Sequence, residues 1–223
     1  MRVLRLLLLT SPILLSPAAF AKSWFEFVSI TDRFSVNFPA EPDVENFDYI
    51  SEFDAIFPAR IYTAQVGENR YSVTVVDFRE SERIHAEMEK TEAASGANAW
   101  INDQRASVAR AARQFRQRGG EVTYDAWSHI DLVEGHQLQI TNPDQSRSFI
   151  SIHLHDSRLY ILEGTVPAGA PAPGIFQQSL GILDEEGKRI RYLMDVDGNL
   201  TRMEVMHDWI DVDPELAGEQ VIR

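Results

Sequence analysis

The chain of 223 residues is 44% hydrophobic and 25% charged, with 12 Gly and 10 Pro, an ordinary globular make-up that excludes a disordered, collagen-like or coiled-coil chain. It has no Cys, so disulfides, thiol catalysis, Cys-ligated zinc and iron–sulfur clusters are excluded. Its 21 Lys and Arg against 34 Asp and Glu give a formal net charge of −13, which repels nucleic-acid phosphates and anionic lipid.

Arg2 and Arg5 form a basic start, Leu6 to Leu15 an apolar run too short to span a bilayer, and Ala19-Phe20-Ala21 a small-residue end. This pattern predicts a signal peptide over residues 1–21, cut after Ala21, and a periplasmic or secreted product. The alternative is an uncleaved membrane anchor. Removal takes two Arg and no acid, moving the net charge from −13 to −15. No later stretch reaches the length of a membrane span.

Phe25 to Ile30 and Phe34 to Phe38 read as short strands, the second alternating apolar and polar residues until Pro39 and Pro42 end it. Arg60 to Val66 and Arg70 to Phe78 read as a hairpin around Gly67-Glu68-Asn69. Helical character begins near Ser81 and is strongest from Ala97 to Arg118, where Gly119-Gly120 stops it. Ile101, Val108, Ala112 and Phe115 fall on one apolar stripe of that helix. Val122 to Ile130, His136 to Thr141, Ser148 to His155 and Arg158 to Val166 follow as an antiparallel meander, with turns at Asn142-Pro143-Asp144 and Asp156-Ser157. The last of these is apolar on both faces, as a central strand would be. Ile175 to Leu183 reads as a short helix, and Val196-Asp197-Gly198-Asn199 joins Arg189–Met194 to Leu200–Val205 as a hairpin. His207 to Arg223 is an acidic tail, expected to be partly mobile. The order predicts one α+β domain over residues 22–206, built on an antiparallel β-sheet flanked by helices.

The segment Asp32-Arg33-Phe34-Ser35-Val36-Asn37-Phe38-Pro39-Ala40-Glu41-Pro42 resembles the FxVxFPxxP opening of PsbP/Mog1-like domains. The later order of helix, four-strand meander and Phe176-Gln177-Gln178-Ser179-Leu180 helix is similar to theirs as well. The resemblance implies an α/β/α sandwich, and roles in assembly and binding more than in catalysis. The hairpin at Asp197-Gly198 is not a feature the family leads one to expect.

Three constellations could carry chemistry. His153 and His155, at i and i+2 on one strand face, have a spacing that can chelate a metal. His153-Leu154-His155-Asp156 also resembles the HxHxDH signature of metallo-β-lactamase-like hydrolases, but its Asp comes one place early and Arg158 replaces a His. The alternative is that Ile150, Ile152 and Leu154 face the core while both His, like Gln137, Gln139 and Thr141 on the neighbouring strand, face outward. Asp195, Asp197 and Asn199 around Gly198 offer oxygen donors suited to calcium, but also match a type I′ turn. Arg105, Arg110, Arg113 and Arg116 spread over one side of the long helix, away from its apolar stripe. They either form a solvated face, dock an acidic partner, or bind the protein's own acidic segments.

Signatures of serine, zinc and nucleotide chemistry are missing from the sequence. Trp24, Trp100, Trp127 and Trp209 are spread along the chain, and most of them are expected in the core or at its rim. These observations together predict an exported, non-enzymatic binding or assembly module of the cell envelope, with no cofactor or metal and with an envelope protein as partner. The alternatives are a periplasmic carrier of an apolar ligand such as a lipid or lipoprotein, and a hydrolase whose site is assembled from distant residues.

Overall fold

The computed structural model describes residues 24–92, 94–203 and 220–222. The predicted signal peptide, Trp209 and most of the acidic tail lie outside the described residues. The described residues form thirteen strands and three helices: β1 Phe25–Ser29, β2 Phe34–Phe38, β3 Asp43–Ile50, β4 Ile56–Val66, β5 Asn69–Asp77, α1 Ser81–Glu87, α2 Ala99–Gln117, β6 Glu121–Ile130, β7 Val133–Thr141, β8 Arg147–His155, β9 Arg158–Val166, α3 Gly174–Gln177, β10 Gly181–Ile182, β11 Arg191–Met194, β12 Leu200–Met203 and β13 Gln220–Ile222. The architecture is mostly antiparallel sheet.

A seven-stranded sheet runs in the order β3-β4-β5-β9-β8-β7-β6. Its centre is β9, as its two apolar faces predict: Leu159 and Ile161 enter the core under α2, and Tyr160 and Leu162 enter the core on the other side. The helix-side core joins Val108, Ala111, Ala112 and Phe115 of α2 to Phe57, Leu138, Ile140, Ile150 and Ile152 of the sheet. Fully burying each of the larger side chains contributes roughly 1.5–3 kcal/mol.

On the opposite face the expected helical layer is replaced by a second sheet, in the order β10-β2-β1-β13. Phe27, Phe34, Val36 and Phe38 turn inward from it onto Tyr62, Tyr71, Val73, Tyr160 and Leu162. The predicted helix over Ile175–Leu183 ends at Gln177 because Gly181 and Ile182 leave it to pair with Ser35 and Phe34. A Cβ at Gly181 would stand 2.6 Å from Ser35 Oγ, so the Ser35 side chain would have to turn aside. The layers are therefore helices, large sheet, small sheet, instead of an α/β/α sandwich.

Three strand boundaries also differ from expectation. β3 is an edge strand whose residues are mostly exposed, so it carries no alternating pattern. β4 starts before Arg60 and contains Pro58, which pairs only toward β3, because the ladder to β5 begins at Ala59. β7 begins at Val133 after a tight turn in which Asp131 (φ 49°) and Leu132 (φ 64°) are both left-handed without being Gly or Asn. Asp131 is held there by Arg189 at 2.7 Å and Arg191 at 3.5 Å, which ties the turn to the entry of the β11–β12 hairpin. That hairpin forms where Asp197-Gly198 predicts it. Its turn residue Val196 is fully exposed.

Candidate functional site

The four arginines of α2 do not form a free cationic face. Arg110 reaches Glu52 (3.0 Å) and the Ile50 carbonyl (2.9 Å), and Arg113 reaches the same Glu52 carboxylate. These hydrogen bonds, with the charge of Arg113 beside them, hold the Glu52 carboxyl below its ordinary range. Arg116 grips Asp125 of β6 through Nε (2.6 Å) and Nη2 (2.8 Å), and His136 Nε2 lies 2.5 Å from the same carboxylate. The Arg116 bonds, assisted by His136, bring the Asp125 carboxyl down to about 2. At the C-terminal end of the helix, Arg118 pairs with Glu163 of β9 and lies 4.0 Å over the Phe115 ring. Of the four predicted residues, only Arg105 is exposed and outside any ion pair among the described residues. The helix's cations bind the chain's own acids at both edges and the centre of the sheet. Exposed pairs of this kind each contribute about 0–1 kcal/mol.

The face carrying His153 and His155 is an interior, because the small sheet and Tyr192 cover it. His153 is 1% exposed, with its ring against Gly135, and burial pushes its imidazole down to about 4. His155 lies 3.0 Å through Nε2 from the Tyr192 hydroxyl and is likewise lowered by burial. Among the described residues, no three His, Asp or Glu come together in a way that could hold a metal. At the hairpin, Asp195 accepts hydrogen bonds from the Asp197 and Asn199 amides and from the Asn199 side chain, so its oxygens are occupied in shaping the turn.

Two polar features were missed in the sequence. The apolar stripe of α2 contains Asp103 and Ser107, both buried. Asp103 Oδ2 sits 2.9 Å from Nε2 of the buried His85 on α1, which pins one helix to the other. The i, i+4 spacing of two small polar residues within an apolar stripe was the available signal. Asp103→Ala should lower stability by about 2 kcal/mol, because it strands a buried imidazole nitrogen. Urea unfolding measures this, and a loss below about 0.5 kcal/mol would show that the pair contributes nothing.

The second feature is a set of open clefts lined by polar groups. One of them, about 430 Å³, is bordered by Asp32, Asn46, Asp48, Arg60 and Asp77. Asp32 is preorganised in its wall: the Tyr62 hydroxyl donates to Oδ2 at 2.6 Å, and Arg60 lies 3.1 Å from Oδ1.

The tryptophans divide. Trp24 packs edge-on against Tyr71 at 5.3 Å, and Trp100 is half-buried. Trp127, expected at the core or its rim, is 71% exposed on β6, with its ring 5.4 Å from His136 and Tyr124 two strand positions beyond Asp125's neighbour Ala126.

No family model matches the chain, and no curated protein matches it. Among solved structures, the solution structure of cyanobacterial PsbP (CyanoP) from Synechocystis sp. PCC 6803 is similar to it. The match covers 71% of this chain and 88% of that one, at 10% identity and a TM-score of 0.37. This is the weak PsbP-like resemblance that the Phe34 to Pro42 segment leads one to expect. No helix among the described residues is long and apolar enough to cross a membrane.

Proposed function

We propose that the protein is an exported, non-enzymatic binding or assembly module of the cell envelope, released by cleavage after Ala21. The observation that carries this reading is the rim of the large sheet at β6, a ten-residue strand bearing an exposed Trp127 and a Tyr124 that is 44% exposed. Large aromatic side chains of this kind are the usual anchors of protein interfaces. Arg105 is the member of the helix set that remains available to an acidic group of the same partner. The charged lining of the clefts suits polar contacts more than an apolar cargo, which weighs against the carrier.

The test is photo-crosslinking in the native host, with a photoreactive residue placed in turn at Trp127, Arg105 and Val196. A defined adduct at one or more of these positions, rebuilt from the two purified proteins, is the expected result. Silence at all three positions, together with a lipid retained by the purified protein in native mass spectrometry, would replace the module with the carrier.

A further inference from the structure

We propose that β6 accepts an extended, basic segment of a partner polypeptide as an additional strand of the large sheet, with Trp127 as its side-chain anchor. This inference rests on the binding-module reading and names the partner's chemistry. β6 is the outermost strand, and its ladder runs to β7 alone, from Glu121↔Thr141 to Ile130↔Val133. In an antiparallel pair, each strand directs only part of its amides and carbonyls to one neighbour. The remaining backbone groups of β6 point outward and have no strand partner among the described residues. Such a row is a template for another chain.

The two edges of the sheet are not equivalent. β3 carries Asp43, Glu45 and Asp48 within eight residues, the charged guard common on edges that must not pair. β6 has no Lys, Arg, Asp, Glu or Pro from Ala126 to Ile130. A register shift between Val122 and Tyr124 bends its first residues away, leaving Tyr124 to Ile130 as a regular stretch of about 24 Å at the usual strand rise.

Side chains on both faces are placed to read an added strand. Trp127 and Asp125 lie on the helix side, opposite His136 and Leu138. α2 rests on β7, β8 and β9, so Trp127 stands beyond its cover. Tyr124 lies on the other side, opposite Gln139. An exposed indole favours a cation above its face.

Charge selects the occupant. Glu121 and Glu134 flank the strand outside any ion pair among the described residues, while Asp125 is neutralised by Arg116. A second copy of the cleaved chain would bring a further formal charge of −15 to the rim. A segment alternating aliphatic residues with Lys or Arg meets both the apolar and the acidic parts of the site, and long-range attraction speeds its encounter.

The test uses the exported chain from Lys22 to Arg223, labelled for amide exchange, and a ten-residue peptide alternating Val and Lys. A matched peptide carries Glu in place of Lys. The Val/Lys peptide should slow exchange of alternate β6 amides at least tenfold, and added salt should weaken the effect. The Val/Glu peptide should not slow it. Trp127→Arg should leave the melting temperature nearly unchanged and weaken binding of the Val/Lys peptide at least tenfold. The inference is overturned by equal protection from both peptides, by binding without β6 protection, or by no binding at low salt. It is also overturned if β6 amides are protected without peptide as protein concentration rises, since the occupant is then a second copy. Crosslinks at Arg105 or Val196 with Trp127 silent would leave the module reading standing and remove only the added strand. Silence at all three positions would remove the module reading itself.

Discussion

Gly135→Ala is expected to cost about 3 kcal/mol of folding stability or more, among the largest losses available from a single methyl group in this chain. A Cβ at Gly135 would overlap the Ile152 carbonyl oxygen and His153 Nδ1, and would stand 2.6 Å from His153 Cε1. The carbonyl belongs to the β7–β8 ladder, in which Gly135 faces His153, so the backbone cannot withdraw without breaking strand pairing. The imidazole is itself 1% exposed, so it has no open solvent to swing into. Overpacking of this kind typically costs 1–3 kcal/mol, and more where the opposing atoms are backbone. Urea unfolding with a common m-value would read the loss. A change below about 1 kcal/mol would mean that the two strands can separate locally and that the Gly135–His153 contact does not constrain them.

The second large effect concerns acid. The His153 imidazole titrates near 6.5 in an unfolded chain and is held down to about 4 in the folded one, because burial disfavours its charged form. Between those values the unfolded state binds a proton that the native state refuses, so stability must rise with pH across this window. The contribution is fully present above about pH 6.5 and is lost as pH falls toward 4. By linkage the loss approaches 3 kcal/mol, to order of magnitude. His155 is shifted in the same direction, so the isolating comparison is between the parent chain and His153→Gln. The variant should have lower stability at neutral pH and a flatter profile from pH 6.5 to 4. Parallel profiles would show that His153 does not carry the acid sensitivity. The Asp125 carboxyl, brought down to about 2, acts in a separate window below about pH 4, where its stabilising ionisation is lost.

The parts of this fold that could be read beforehand are those whose local pattern does not depend on their neighbours. β9 announces its central place by being apolar on both faces, and α2 by its stripe and the Gly pair that ends it. The second sheet could not be read in this way. Its outer members are strands of two and three residues, too short to show a period, and they come from far along the chain. The arginines of α2 were legible as a group but their partners were not. Glu52 lies 58 residues from Arg110, and Glu163 lies 45 from Arg118. The histidine pair failed for a different reason. Strand alternation tells which residues share a face, but not whether that face meets water or a second layer. For the same reason Tyr124 and Trp127 were readable as strand residues, whereas the place of β6 at the rim depends on β9 entering the sheet between β5 and β8.

That entry of β9 also bears on how the molecule assembles. The large sheet consists of two meanders, each continuous in sequence: β3-β4-β5, and β6-β7-β8-β9. They meet at one ladder, from Arg70↔Thr165 to Asp77↔Arg158, and the chain between them contains α1 and α2. Every hairpin within a meander closes over a short loop, whereas the ladder at the joint closes over a very long one. Loop length alone thus favours early formation of the turns within each half and late pairing of β9 with β5. A cut between α1 and α2 would leave each meander whole, and the two fragments would meet along the β5–β9 ladder and again where β10 and β13 pair with β2 and β1.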